Sequence, residues 1–272
     1  MRLVTWNIYH GRSPGDGVVD PGRLAAALSS LDADVVALQE VDRGQPRSHW
    51  LDITALAAEA MSAPAWRFVP TVIGDPAGRW RPATDTDLDA DRDAYGIGLV
   101  SRWPVLRWHL LRMSAAPALR APVLIPGSRQ LLWLRDEPRA ALAATLQTPD
   151  GPVTVASTHL SFMPGINVLQ LVRLRRWLRA LPGPRVLLAD LNLPGAIVAR
   201  LWGQPPLVRV RNYPLSRPLV QVDHIVGDGE LPPVQHAETR QLAVSDHAAV
   251  LVDLGRGALG RPSTKAGRLP EP

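Results

Sequence analysis

Short apolar runs punctuate the chain, and most of them stop abruptly on a polar side chain. Leu3 to Tyr9 alternates, carries Val, Trp, Ile and Tyr, and predicts a strand interrupted by Asn7. Asp20 followed by Pro21 is a helix start, and Leu24, Leu28 and Leu31 recur at helical spacing, so a helix is expected over 21–31. Val35 to Leu38 reads as a buried strand that ends in Gln39-Glu40. Leu51 to Met61 predicts a second helix, and Trp66 to Val72 alternates as a strand.

The stretch 74–93 is polar and broken by Gly and Pro. Its Asp85, Asp87, Asp89, Asp91 and Asp93 have the spacing of a calcium loop but lack the Gly and terminal Glu, so it reads as a solvated loop. Tyr95 to Arg102 and Val105 to Leu111 predict strands, and the Pro- and Ala-rich 113–128 a loop. Leu131 to Leu134 and Arg139 to Gln147 are strand-like. The second joins Pro152 to His159 through Pro149-Asp150-Gly151 as a hairpin. Asn167 to Leu181 predicts an outer helix with Leu171, Leu174 and Leu178 inward and a solvated face of Arg173, Arg175, Arg176 and Arg179. Ile197 to Trp202 reads as a short helix, and Gln221 to Val226 and Ala248 to Val252 as strands. Neither repeat nor linker divides the chain, which predicts one domain over 1–254 and a disordered tail over 255–272.

Arg185-Val186-Leu187-Leu188-Ala189-Asp190-Leu191-Asn192 is the most telling stretch. Its apolar strand delivers Asp190 and Asn192 to the same side. A turn closed by the Asp side chain would explain them equally well. The other strand-flanking polar groups shift that balance: Asn7, Glu40, His159, Asp223, Asp246 and His247. So many acids gathered at one rim would be costly unless a cation sits among them. The chain has no Cys, so a metal must be held by oxygen or imidazole, which favours Mg²⁺, then Mn²⁺ or Ca²⁺. Two imidazoles add proton exchange, and metal-assisted hydrolysis of a phosphate ester is the reaction class that follows.

Composition adds less. A hydrophobic fraction of 46% allows a substantial core over 272 residues. No apolar run reaches the ~18 residues of a membrane span, and the N-terminus lacks a secretory pattern, so a cytoplasmic monomer is expected. The net charge is +5, almost all of it Arg, since Lys265 is the sole lysine. Guanidinium suits phosphate, but a general bias toward Arg, Ala and Pro explains the excess as well.

Seven motifs stand together in order: Thr5-Trp6-Asn7-Ile8, Leu38-Gln39-Glu40-Val41, Tyr95-Gly96 with Ser101-Arg102, Ser157-Thr158-His159-Leu160, Ala189-Asp190-Leu191-Asn192, Val222-Asp223-His224-Ile225 and Ser245-Asp246-His247. In this the chain resembles the endonuclease/exonuclease/phosphatase superfamily, the deoxyribonuclease-I-like group, over about residues 2–254. The resemblance implies an α/β fold, a four-layer αββα sandwich of two packed β-sheets flanked by helices. It implies Glu40 as principal metal ligand with Asn7 and Asp246, and Asp190 as the group that orients or deprotonates the attacking water. By the same resemblance Asn192 and His159 contact the phosphate, His247 stabilises its developing charge, Asp223 orients His247, and Tyr95 supports the site. Arg102 is either a further site residue or a structural ion pair, and His224 a strand residue beside the site. Ala189 replaces the family's usual Gly and Leu191 its usual aromatic; both polar groups are kept. Asn7-Ile8-Tyr9-His10-Gly11 is similar to the small bacterial phosphodiesterase-like members.

The expected function is a Mg²⁺-dependent phosphodiester hydrolase, with nucleic acid among its candidate substrates. A lipid-headgroup phosphodiesterase or inositol-phosphate-type phosphatase is the enzymatic alternative, and an inactive binding protein of the same fold the non-enzymatic one. Substrate choice is expected in the loops around 10–20, 74–93, 112–128 and 203–220.

Overall fold

The computed structural model describes residues 1–90, 92–116, 120–124 and 131–255. The strands are β1 (Arg2–Asn7), β2 (Val35–Arg43), β3 (Ala65–Gly74), β4 (Trp80–Pro82), β5 (Ala94–Ser101), β6 (Val105–Met113), β7 (Arg120–Leu124), β8 (Leu131–Arg135), β9 (Arg139–Thr148), β10 (Gly151–His159), β11 (Arg185–Asp190), β12 (Asp223–Asp228), β13 (Val234–Arg240) and β14 (Ala249–Leu254). The helices are α1 (Pro21–Ser30), α2 (Ile53–Ala60), α3 (Ile166–Arg179) and α4 (Gly195–Trp202). None is long and apolar enough to cross a membrane.

Seven strands form one sheet in the order β13-β14-β1-β2-β5-β3-β4, and five form another, β12-β11-β10-β9-β6. Strand parity builds the layers. On β1 and β2, Val4, Trp6, Val36 and Leu38 face outward into a core shared with Leu24 and Leu28 of α1 and Ile53 and Ala57 of α2. Their alternates Leu3, Val35 and Ala37 face inward and meet Leu142, Val155, Val186, Leu188 and Ile225 of the second sheet. Ala141, Ala156, Leu187 and Ala189 face outward again, under Leu171, Leu174 and Leu178 of α3 and Trp202 of α4. Each fully buried Leu or Val contributes about 1.5–3 kcal/mol. The result is the expected αββα sandwich.

Asp20 and Asp52 cap α1 and α2 by accepting from the Arg23 and Ala55 N–H groups, each cap worth about 1 kcal/mol. Two glycines of β5 admit close neighbours. A Cβ on Gly98 would lie 2.8 Å from the Thr54 hydroxyl of α2, and one on Gly96 would lie 2.0 Å from the Val69 carbonyl of β3.

Three expectations need correcting, and one strand was not foreseen. β2 does not stop at Glu40 but runs on to Arg43, because a register shift between Leu38 and Val41 absorbs an extra residue. The expected loop over 113–128 contains β7, an extended segment paired antiparallel with β8. Pro122 fits there because the two-stranded pair leaves donors unpaired on both outer sides. Residues 117–119 and 125–128 of that loop lie outside the described residues, as do 256–272 of the predicted tail. β13 had no apolar signal, since its sequence is largely polar and none of its residues is buried. The acidic stretch is less solvated than expected: Asp87 is buried and pairs with Arg81 at 2.6 Å, and Asp85 pairs with Arg112 at 2.7 Å. Asp91 is not among the described residues.

Candidate active site

At one end of the seam between the sheets, the inward face changes from apolar to polar. Asp190 continues the inward row of Val186 and Leu188, and Asn7 that of Leu3. His159 follows Val153 and Val155 in the same way. Register then sets the polar groups side by side. β10 and β11 run parallel with His159 opposite Asp190, and β12 runs antiparallel with Asp223 opposite Asp190. Such partners stand about 4.5–5.5 Å apart at Cβ. His159, Asp190 and Asp223 thus form a row across three strands.

Glu40 reaches the site by a different route. Parity alone would turn it outward with Leu38. Gln39 and Glu40 instead form a bulge opposite β5, with Glu40 in the left-handed region at φ 55. The bulge re-aims the carboxylate, and Asn7 Nδ2 donates to its Oε1 at 3.0 Å. The same Nδ2 donates to Asp190 Oδ2 at 3.1 Å, while Asn7 Oδ1 accepts from the Tyr9 N–H at 3.1 Å. Asn7 therefore ties the carboxylates of the two sheets together.

His247 sits in the turn that enters β14. Ser245, at φ 72, donates through Oγ to the Asn7 carbonyl at 2.6 Å and accepts the His247 N–H at 3.0 Å. The Trp6 indole donates to the His247 carbonyl at 3.1 Å. So fixed, His247 donates through Nδ1 to Asp223 Oδ2 at 2.7 Å, and its Nε2 lies 4.0 Å from Asp246 Oδ1. At the end of β11, the Asn192 N–H donates to Asp190 Oδ1 at 3.0 Å with Asn192 at φ 49. Its Nδ2 reaches the Leu160 carbonyl at 3.1 Å and His159 Nε2 at 3.2 Å. The strand end is thus an Asx turn and part of the polar cluster at once.

Burial pushes the Glu40 carboxyl up to about 6, with Asp246 adding to the rise and the Asn7 amide opposing it. Burial also raises Asp190, reinforced by the Asp223 charge and opposed by His247, Asn7 and the Asn192 N–H. Asp246 is raised for the same first reason. His247 moves against its own burial. Asp223, Asp190 and Asp246 together carry it up to about 10 and keep it charged. Burial, Arg139 and His247 hold His159 well below the ordinary histidine value, hence neutral.

The donor set fits a divalent cation. Ligand atoms of Asp190, Asp223 and His247 lie within 4.8 Å of one another. Asp223 Oδ1 is buried without a hydrogen-bond partner among the described residues, and the Asp246 charge raises the proton affinity of Glu40 as a like charge does. His247 Nδ1 already donates to Asp223, so the oxygens are the freer ligands.

Tyr95 is buried within electrostatic reach of Glu40, with the Arg47 guanidinium 5.5 Å above its ring. Arg47 in turn forks onto the buried Asp42 at 2.8 and 2.7 Å. Arg102 does not join the cluster; it pairs with Asp32 at 2.9 Å and donates to the Met61 carbonyl. His224 points outward, its Nε2 2.8 Å from the Leu193 carbonyl.

Sequence reasoning missed four neighbours. Asn212 donates to Asp223 Oδ2, and the Tyr213 ring stacks 4.4 Å from that of His247; both stand in a loop without periodicity. Glu137 and Arg139 are within electrostatic reach of Tyr95, and Arg139 also of His159. A signal for these two existed. β9 is antiparallel to β10, so its N-terminal end, Asp136-Glu137-Pro138-Arg139, meets the rim where β10 ends.

Acids able to hold a hard cation, a carboxyl of raised proton affinity and a charged imidazole, gathered on an αββα sandwich, define a phosphoester hydrolase. The chain belongs to the endonuclease/exonuclease/phosphatase family, which it matches over residues 4–247, and it is an enzyme of that class. Among solved structures it is similar to an endonuclease/exonuclease/phosphatase from Beutenbergia cavernae, with 24% identity, 94% of this chain and 72% of that one covered, and a TM-score of 0.64. Sphingomyelinase C from Streptomyces griseocarneus is 16% identical over 94% and 99% of the two chains, with a TM-score of 0.60. The mannosyl-6-phosphatase Bt3783 of Bacteroides thetaiotaomicron is 14% identical over 94% and 99%, with a TM-score of 0.58. Identities this low speak for the fold. No curated protein matches the chain.

Proposed function

We propose that the protein hydrolyses a phosphodiester with Mg²⁺ as cofactor. The observation that carries this reading is the row His159–Asp190–Asp223 with His247 hydrogen-bonded to its end. Glu40 and Asp246, with Asn7, would hold the ion, and when bound it supplies Lewis-acid polarisation of a phosphate oxygen. Asp190 takes the proton of the attacking water. Its raised proton affinity suits a base working near neutral pH, and the Asn192 N–H and Asn7 amide aim its two oxygens. Asn192 and neutral His159 hold a phosphate oxygen from one side. From the other, His247 presents its charged ring to the negative charge that grows in the transition state, and Asp223 fixes the orientation of the ring and keeps its Nδ1 proton in place. Tyr95, buried within electrostatic reach of Glu40, keeps water from that side.

The test is hydrolysis of bis-(p-nitrophenyl) phosphate against p-nitrophenyl phosphate, with plasmid DNA, RNA and sphingomyelin alongside. Loss of activity in EDTA, return with Mg²⁺, and preference for the diester are expected. Wild-type rates in both Asp190→Ala and His247→Ala would sink the mechanism, and preference for the monoester would move the substrate to the phosphatase alternative.

A further inference from the structure

The segment 212–220 touches the site more closely than a substrate loop needs to. It folds back as a hairpin, with the Asn212 N–H donating to the Val220 carbonyl at 3.0 Å and the Leu219 N–H to that of Tyr213 at 2.9 Å. From this hairpin two backbone bonds run to the turn that bears the imidazole: Leu215 N–H to the Asp246 carbonyl at 2.6 Å, and Ala248 N–H to the Asn212 carbonyl at 2.9 Å. Asn212 is fully buried. Its Oδ1 accepts from the Val222 N–H at 3.2 Å, which fixes the amide so that Nδ2 points at Asp223 Oδ2. That oxygen also receives His247 Nδ1 at 2.7 Å, whereas Asp223 Oδ1 has no partner among the described residues. Both donors therefore converge on one carboxylate oxygen, and Asn212 is the one that does not turn with the imidazole. On the open face of the imidazole lies Tyr213, half-buried, its ring 4.4 Å away and tilted by 39°. One side chain thus sets the carboxylate and the next blocks rotation of the ring it holds.

We propose that Asn212 and Tyr213 are positioning residues that set the orientation of His247 through Asp223 and by stacking. This rests on the reading that His247 meets the phosphate. It also assigns the loop to catalysis instead of substrate choice. With Asn212 removed, Asp223 loses the donor that fixes its rotamer, and with Tyr213 removed the imidazole face opens to solvent. Both changes should lower kcat and leave KM nearly unchanged, because His159, Asp190 and Asn192 at the ends of β10 and β11 are untouched.

The experiment measures bis-(p-nitrophenyl) phosphate hydrolysis with Mg²⁺ for the wild type, Asn212→Ala, Tyr213→Leu, Tyr213→Phe and His247→Ala. Rates are referred to the folded fraction read from near-ultraviolet circular dichroism. Asn212→Ala and Tyr213→Leu are expected to lose about 10–100-fold in kcat, the usual cost of a removed supporting partner, with KM within threefold. Tyr213→Phe, which keeps the ring, recovers most of the loss. The downfield proton resonance of His247 Nδ1, identified by its absence in Asp223→Asn, should vanish or shift upfield in Asn212→Ala. If Asn212→Ala does not fold, Asn212→Ser and Tyr213→Leu carry the comparison. Near-wild-type kcat in the Asn212 and Tyr213→Leu variants beside an inactive His247→Ala overturns this inference alone. A wild-type rate in His247→Ala overturns the functional reading beneath it.

Discussion

Asp190 pairs a cost to stability with a benefit to chemistry. It is 1% exposed and raised by burial and by Asp223, so its charge destabilises the metal-free fold. Asp190→Asn should therefore lower kcat by about 10²–10⁴, the range for loss of a general base, and yet raise Tm in EDTA; a lower Tm would contradict the account. In the proposed mechanism two carboxyls and His247 set the pH limits in opposite senses. Glu40 and the base Asp190 must both be ionised, and burial holds Glu40 at about 6 and raises Asp190 as well, so activity falls as pH drops through that range. His247 must be charged, and its carboxylate neighbours hold it at about 10, so activity falls as pH rises through that value. A broad bell with a flat centre is expected in kcat/KM, its acid limb moving lower as Mg²⁺ is raised. Which residues gather at the polar cluster was largely legible, because an acid or imidazole beside an apolar run is conspicuous. Asn212 and Tyr213 were not, since nothing along the chain says that a loop residue meets Asp223.

Elements supply what single residues cannot: direction. The inward aim of Asp190, His159 and Asn7 follows from strand parity, which the apolar alternation already displays. Glu40 breaks parity through a bulge that depends on pairing with β5, and pairing is not written in the strand itself. β13 escaped notice for a related reason, since its edge position asks for no apolar face. Gly96 tests the element scale. Its missing Cβ would strike the Val69 backbone carbonyl, so Gly96→Ala should cost about 2–3 kcal/mol in urea unfolding and reduce activity by displacing the neighbouring Tyr95. A stability within about 0.5 kcal/mol of wild type would show that β3 gives way freely.

For the molecule as a whole, the two sheets meet over an apolar seam and share a polar end. Like charges there oppose closure until a cation arrives. The burden grows with pH: Glu40 is raised from 4.5 to about 6, so its ionisation in the folded state costs about 2 kcal/mol, present above that range and relieved below it. Mg²⁺ should accordingly raise Tm more at pH 8 than at pH 5, and equal increments by differential scanning calorimetry would argue against a site built on these acids.

β1 lies between β14 and β2 in the larger sheet, and the Trp6 indole bonds a carbonyl 241 positions away. A nascent chain on the ribosome thus makes β1 long before β14 and must hold one edge of it open in between. Until then it has neither His247 nor the strand that seals that edge. Closure over so long a separation is slow, and an open edge invites pairing with other chains. The polar cluster is complete only once β14 has been made, and shorter chains lack His247 and leave that edge of β1 unpaired.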